Sequence, residues 1–284
     1  MSALNASILL LVLVTLGCFL AGMITRNYSH VDRLWSILPP VYGIIWLFEF
    51  RSLSYTIPCA LVILWGIRLS YNFARRGGYR FEKGKGFIEE DYRWSILREK
   101  IPNRFLFELF NLFFISSFQL GLIFLFTLPL YYIGKTNHPI QYVDLLLYIL
   151  FLLFLIGEFI ADQQQYKYQT SKRFMTKEKD VQIKLGFNTY GLWNYSRHPN
   201  YFFELGQWVI LWLMAVSVTG TWHWSGIGAG ILIVLFIGST NFTETITASK
   251  YPKYKDWQKA TPSIVPFSTT LFRLKNKRKF WESL

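Results

Sequence analysis

Seven apolar stretches divide the chain, at residues 4–24, 34–50, 56–74, 108–133, 143–161, 201–219 and 221–240. Each comes close to the ~20 residues that a helix needs to cross a bilayer. Polar residues gather between these runs, so the pattern predicts an all-α polytopic membrane protein with about seven transmembrane helices. Pro39-Pro40 and Pro58 interrupt the second and third runs, so kinks are expected, with the second helix starting after its prolines. No internal repeat or second domain is visible, and the chain reads as a single membrane domain over 1–284.

Composition supports the pattern: 52% of residues are hydrophobic and 19% aromatic, beyond the habit of soluble chains. A net charge of +13 could point to nucleic acid, but 25 of the 30 Lys and Arg lie in residues 74–104, 162–200 and 245–284. Clustering in alternate connections is the signature of loops facing the cytoplasm. The N-terminus is then expected outside and the C-terminus cytoplasmic, with Arg51 and Lys135 alone on the far side, and no nucleic-acid partner. Cys18 and Cys59 lie in apolar runs without metal-ligand spacing, so neither a disulfide framework nor a metal site is predicted. The first run lacks a basic start and reads as a retained helix rather than a signal peptide.

The stretch from Gly191 to Trp208 sets ionisable and aromatic groups at the start of an apolar run. Pro199 fits a first helical position, which makes His198 the cap. The amides and positive dipole end of that helix, beside Arg197 and His198, would suit a phosphate or carboxylate. Tyr201, Glu204 and Trp208 follow at one-face spacing, and an acid inside an apolar helix needs a partner or a task.

Elsewhere, Trp65, Arg68 and Asn72 share a face of the third run and would line a substrate cavity, unless Arg68 snorkels to the interface. Glu158 and Asp162 stand one turn apart near the end of the fifth run, with Arg197 or a cofactor ribose as candidate partner. Glu49 and Arg51 read as a salt bridge at the outer interface. Asp32 and Arg33 belong to a polar connection that is either solvated or the mouth of a pocket. Residues 74–104 form a long aromatic-rich loop, either a lid over phosphates or a surface loop held by anionic lipid. After the seventh run, a short cytoplasmic helix, an ordered coil from Thr261 to Phe267 and a basic tail from Lys275 to Lys279, solvated or lipid-facing, are expected.

The segment Arg197-His198-Pro199-Asn200-Tyr201 with Glu204 resembles the C-terminal membrane domain of the steroid 5-alpha-reductase superfamily, in its uncharacterised branch. Further matching motifs are Asp32-x-x-Trp35-Ser36, Trp65 to Leu69, Glu90 to Trp94, Ala161-Asp162-x-Gln164 and Tyr251-x-x-Tyr254, so the likeness spans nearly the whole chain. The resemblance implies an NADPH-dependent reductase of a carbon–carbon double bond conjugated to a carbonyl in a steroid-like or polyprenoid lipid. It also implies an endoplasmic-reticulum membrane if the source is eukaryotic. Implied cofactor contacts are Arg93, Asp162, Arg197, His198, Asn200, Tyr201 and Glu204. Residues 1–133 would shape the substrate cavity, 143–267 would hold the cofactor, and 268–284 would be the tail. Trp65 falls near the position of the family's catalytic tyrosine, so no catalytic residue is assigned. Isoprenylcysteine carboxyl methyltransferases share part of the motif, which keeps an S-adenosylmethionine-dependent methyltransferase as an alternative, although only Glu244 stands where those enzymes carry paired acids. A non-catalytic scaffold of the same fold is the third reading.

Overall fold

The structure is a computed structural model describing residues 1–174, 181–266 and 271–284. In chain order its helices are α1 (Ala3–Thr25), α2 (His30–Leu34), α3 (Leu38–Leu47), α4 (Leu53–Arg75), α5 (Tyr92–Lys100), α6 (Arg104–Phe110), α7 (Gln119–Thr136), α8 (Tyr142–Phe174), α9 (Val181–Leu185), α10 (Pro199–Thr219), α11 (Ile227–Lys250), α12 (Tyr254–Ala260) and α13 (Leu271–Glu282). A π-helical turn, Asn111–Phe118, joins α6 to α7 without a break, and a small hairpin, Phe81–Glu82 with Gly86–Phe87, precedes α5. Among the described residues six helices are long and apolar enough to cross a membrane. The protein is thus an all-α polytopic membrane protein. The expected coil to Phe267 is described only as far as Pro266, and Lys177 and Lys179 of the second basic segment also lie outside the described residues.

The chain forms two compact units, Met1–Leu150 with Trp208–Ile231, and Phe151–Gln207 with Leu232–Leu284. In the first, α1 is capped by Ser2, whose side chain accepts from the Asn5 amide, and ends at Arg26 in the left-handed region. Leu9, Leu13, Leu16 and Leu20 on α1 are exposed, as a lipid-facing surface requires.

The second predicted span, 34–50, is not one helix but two short ones. Pro39 and Pro40 sit in the first turn of α3, where missing N–H groups leave no bond unmade, so the helix cannot run back into α2. The pair nevertheless returns the full length of α1. Thr25 Oγ1 meets His30 Nε2 at 3.1 Å at one end, and the Ala3 amide donates to Glu49 Oε2 at 2.8 Å at the other. Glu49 therefore caps the start of α1 instead of forming the expected bridge with Arg51.

Helix α4 packs antiparallel to α3: Tyr55 Oη donates to Gly43 O at 2.6 Å, and a Cβ on Gly66 would lie 2.4 Å from Pro40 Cγ. The core of this unit is aromatic, with Tyr42, Trp46, Tyr55, Phe126, Trp65 and Trp208 all fully buried.

The polar connection after α1 is not solvated. Arg33 is 4% exposed; its Nε donates to Gly78 O at 3.0 Å, and its guanidinium lies 4.3 Å from the Phe87 ring centre. Trp94 Nε1 donates to Asp32 Oδ2 at 2.8 Å, and the Asp91 amide to Ser29 Oγ at 2.8 Å. These bonds clamp the 77–94 loop onto residues 27–33. Burying an arginine is tolerable here because backbone carbonyls and an aromatic face replace its water.

In the second unit the basic tail is a helix, with Lys275, Arg278 and Lys279 exposed as expected and its other face packed. Phe280 of α13 is buried against Trp257, and Lys277 Nζ donates to Asn194 O while lying 5.3 Å from the Tyr195 ring centre. Burial lowers the Lys277 pKa from the usual lysine value.

Candidate functional site

The second unit gathers most of the residues singled out in the sequence around the start of α10. The helix begins at Pro199, and the Phe202 amide donates to His198 O, so His198 does cap it. The upstream amides are not free to bind an anion. Arg197 N donates to Pro262 O and His198 N to Ser263 O, both at 2.9 Å. Ser196 Oγ adds bonds to Ser263 O at 3.0 Å and Ile264 O at 2.8 Å, sewing the helix start to the ordered coil after α12.

Arg197 and His198 meet a partner far along the chain. Glu244 of α11 accepts Arg197 Nε at 2.7 Å and Nη2 at 2.9 Å, a two-pronged pair. His198 Nε2 lies 2.9 Å from Glu244 Oε1, and Gln258 Nε2 donates to Glu244 Oε2 at 2.8 Å. Arg197 Nη1 turns to Gln258 O at 3.0 Å and also to Thr261 O. Arg197 therefore pairs with neither Glu158 nor Asp162, the expected candidates. Its side chain is 10% exposed, and a phosphate would have to displace Glu244 to reach its fork. The geometry is that of a charged knot locking three segments together. Tyr254, one turn before Gln258, has its pKa raised by burial and then by the Glu244 charge.

A second polar feature lies along α8 and α10, which run antiparallel here. Phe203 sits where a Cβ on Gly157 would fall, Phe154 where one on Gly206 would fall, and Trp193 Nε1 donates to Ala161 O at 3.1 Å. This close approach aligns Glu158 and Asp162 of α8 with Asn200, Glu204 and Gln207 of α10. Gln207 Nε2 donates to Glu158 Oε2 at 2.7 Å. Glu158, Asp162, Glu204 and Gln207 are all buried, and Asn200 Oδ1 and Gln207 Oε1 are buried oxygens without a hydrogen-bond partner among the described residues. Tyr201 faces away from this seam, stacked on His198 at 5.2 Å and edge-on to Phe236 at 4.6 Å.

Gln207 was not singled out by sequence reasoning, although its place one turn beyond Glu204 marked it. Glu244 was visible as a lone acid near the end of an apolar run, but nothing in the linear order links it to a residue 47 positions earlier. At the near end of the seam Gln164 Oε1 accepts the Leu192 amide at 2.9 Å, and a Cβ on Gly191 would strike the Gln164 side chain.

The remaining predicted residues belong to the first unit. Trp65 is fully buried, edge-on to Trp208 at 4.7 Å. Arg68 and Asn72 are buried, so Arg68 does not snorkel, and Asn72 Oδ1 accepts Arg75 Nε at 2.9 Å. Arg93 grips Asp91, with Nε 2.9 Å from Oδ1 and Nη2 2.8 Å from Oδ2. Among the described residues no His, Cys, Asp and Glu cluster could hold a metal ion.

No solved structure matches this chain. An uncharacterised protein of Schizosaccharomyces pombe is 32% identical over 259 residues, covering 85% of this chain and 73% of its own length. The family model described as "Protein of unknown function (DUF1295)" matches residues 18–261, which contain both the charged knot and the polar seam. The chain belongs to that family.

Proposed function

We propose that this protein is an NADPH-dependent membrane reductase of a carbon–carbon double bond conjugated to a carbonyl in a steroid-like or polyprenoid lipid. The observation that carries the reading is the buried α8–α10 seam. Three carboxyl groups and an amide lie inside helices long and apolar enough to cross a bilayer, a placement costly enough to imply a task. The motif resemblance to steroid 5-alpha-reductases falls on the same residues, Asp162, Asn200 and Glu204.

The fit of the cofactor is divided. The seam is rich in acceptors, and the unpartnered oxygens of Asn200 and Gln207 suit groups that donate, as ribose hydroxyls and a carboxamide do. Asp162 and Glu204 would hold the sugar hydroxyls and Asn200 the amide. Arg197 does not suit the phosphates, because Glu244 already fills its fork; those charges fall to other lysines and arginines of the basic loops. NADPH, when bound, supplies the hydride. The chain's own part is to orient the cofactor through these acceptors and to keep water from it with the surrounding apolar helices.

The test is binding of NADPH to the full-length protein in detergent, read as thermal protection. Asp162→Asn and Glu204→Gln should each weaken it about tenfold, the scale of a charge-assisted hydrogen bond. Lipid extracts of cells with and without the protein should differ by two hydrogens in one lipid class. Protection by S-adenosylmethionine but not NADPH, or a one-methyl mass difference, would replace the reductase with a methyltransferase.

A further inference from the structure

Helix α13 presents two different faces. The inner one is bound within the second unit: the Phe280 ring is buried 5.0 Å from that of Trp257, Lys277 Nζ donates to Asn194 O, and Lys253 Nζ donates to Ser283 Oγ at 3.1 Å just past the helix end. The outer face is itself divided. Leu274 and Trp281, two turns apart, are 53% and 40% exposed and form an apolar flank. Lys275, Arg278 and Lys279, all exposed, form a basic flank beside it. Glu282 is the one acid of the helix, and it accepts Arg278 Nε at 2.8 Å. Both partners of that bond are largely exposed, where an ion pair counts for little, so the flank keeps its excess of positive charge.

An exposed leucine or tryptophan alone means little on a protein surface. The depth of this helix gives the pair its meaning. Asn194, which holds Lys277, stands directly upstream of Pro199, the first residue of a helix long and apolar enough to cross a membrane. Tyr195, whose ring centre lies 5.3 Å from Lys277 Nζ, is itself 48% exposed, as an aromatic side chain at headgroup level is. A helix fixed at that depth meets lipid headgroups before any other partner. Apolar side chains on one flank and cations on the next are the pattern of a helix lying in the interface plane. We propose that the outer face of α13 docks on the anionic headgroups of the leaflet beside which α10 begins. Leu274 and Trp281 reach the acyl boundary, and Lys275, Arg278 and Lys279 lie among the phosphates and carboxylates. The basic flank makes the docking selective for anionic over zwitterionic lipid, by about fivefold for each basic residue near the surface. The proposal is independent of the cofactor and of the reaction.

The experiment uses full-length protein with Leu274→Cys carrying a bimane fluorophore, in a background with Cys18 and Cys59 replaced by alanine. The protein is placed in nanodiscs of phosphatidylcholine alone or of equal parts phosphatidylcholine and phosphatidylserine, both with the same fraction of a phosphatidylcholine bearing a nitroxide quencher high on its acyl chain. Quenching should be stronger in the anionic discs, with the ratio of docked to free helix raised at least about fivefold. Added salt should reverse the difference by screening it. Lys275→Gln together with Lys279→Gln should bring the anionic discs close to the neutral ones without moving the unfolding midpoint, because both side chains are exposed. Should that double variant fail to fold, the salt dependence of the protein with its own lysines decides. Equal quenching in the two lipids, or quenching that salt leaves unchanged, would overturn the docking and leave α13 a solvated helix. Shielding that follows the number of protein copies per disc and not the lipid charge would assign the face to a second copy of the chain. Shielding by a soluble polyglutamate peptide but not by phosphatidylserine would assign it to an acidic protein segment, and either result also overturns the proposal.

Discussion

Glu244 of α11 accepts from Arg197 and His198 at the start of α10 and from Gln258 of α12. Because the carboxylate is buried, removing its charge strands Arg197 with nothing of opposite sign in its fork. Glu244→Gln is therefore expected to lower stability by about 3–5 kcal/mol, the loss typical of breaking a buried pair from one side. Arg197→Lys keeps the charge and loses the fork, so a smaller loss of about 1–3 kcal/mol is expected. Denaturant unfolding in detergent measures both. If Arg197 instead served mainly to hold cofactor, Arg197→Lys would weaken NADPH binding and leave the unfolding midpoint where it was. Tyr28 gives a second residue-scale test. Burial, reinforced by its hydrogen bond to Glu108, pushes its pKa up to about 12 from 10.0. An unfolded tyrosine ionises first as pH rises, so the stabilisation is complete below pH 10 and is lost as pH climbs toward 12. Protection of the 89–91 amides against hydrogen exchange, taken relative to their intrinsic base-catalysed rate, should fall across that window, and Tyr28→Phe should remove the fall.

The element that departs most from its linear pattern is the second crossing. Hydropathy marked residues 34–50 as apolar enough, and Pro39-Pro40 marked where a helix could begin, but periodicity cannot show that Trp35 to Ile37 form a bend packed on a neighbour. That neighbour is α4, whose Gly66 admits Pro40 and the Ser36 carbonyl; a Cβ there would stand 2.7 Å from Ser36 O. Gly66→Ala is expected to destabilise the protein by about 1–3 kcal/mol, since backbone rather than a flexible side chain must give way. Thermal unfolding is the measure, with Gly17→Ala as control because a Cβ at Gly17 meets nothing within 4 Å. The helices themselves were legible because runs of apolar residues report burial in lipid directly. The start of α10 was legible too, since Pro199 and its capping residue announce a helix N-terminus locally. What could not be read was the traffic between distant segments. Arg33 looked like a hydrated charge because its acceptors, the carbonyls of Gly78 and Glu89, are backbone atoms that leave no mark in composition. Lys277 looked like part of a solvated tail because its partners are a carbonyl and aromatic faces. Arg197 looked available for phosphate for the same reason: motif spacing shows which groups stand near a helix start, and not which of them are already bonded.

At the scale of the molecule, the bent pair α2–α3 decides how the chain is threaded. With α1, the pair and α4 all crossing, three passages separate Ser2 from the basic loop at Lys85, which places them on opposite faces of the membrane. If the pair only dips in and returns, two passages separate them and they share a face. The hydrogen bonds joining Ala3 to Glu49 and Thr25 to His30 favour the first arrangement, because they match the ends of the pair to the ends of a helix about 34 Å long at 1.5 Å per residue. The clustering of Lys and Arg is the pattern expected of a basic loop on the cytoplasmic side. Single cysteines introduced by Ser2→Cys, Lys85→Cys and Lys255→Cys, in a background with Cys18 and Cys59 replaced by alanine, distinguish the cases. A membrane-impermeant maleimide applied to sealed vesicles is expected to label positions 85 and 255 from the cytoplasmic face alone and position 2 only from the other. Labelling of position 2 together with position 85 would make α2–α3 a re-entrant hairpin, and Glu49 would then have to reach Ala3 without the chain having crossed, which the length of α1 does not permit.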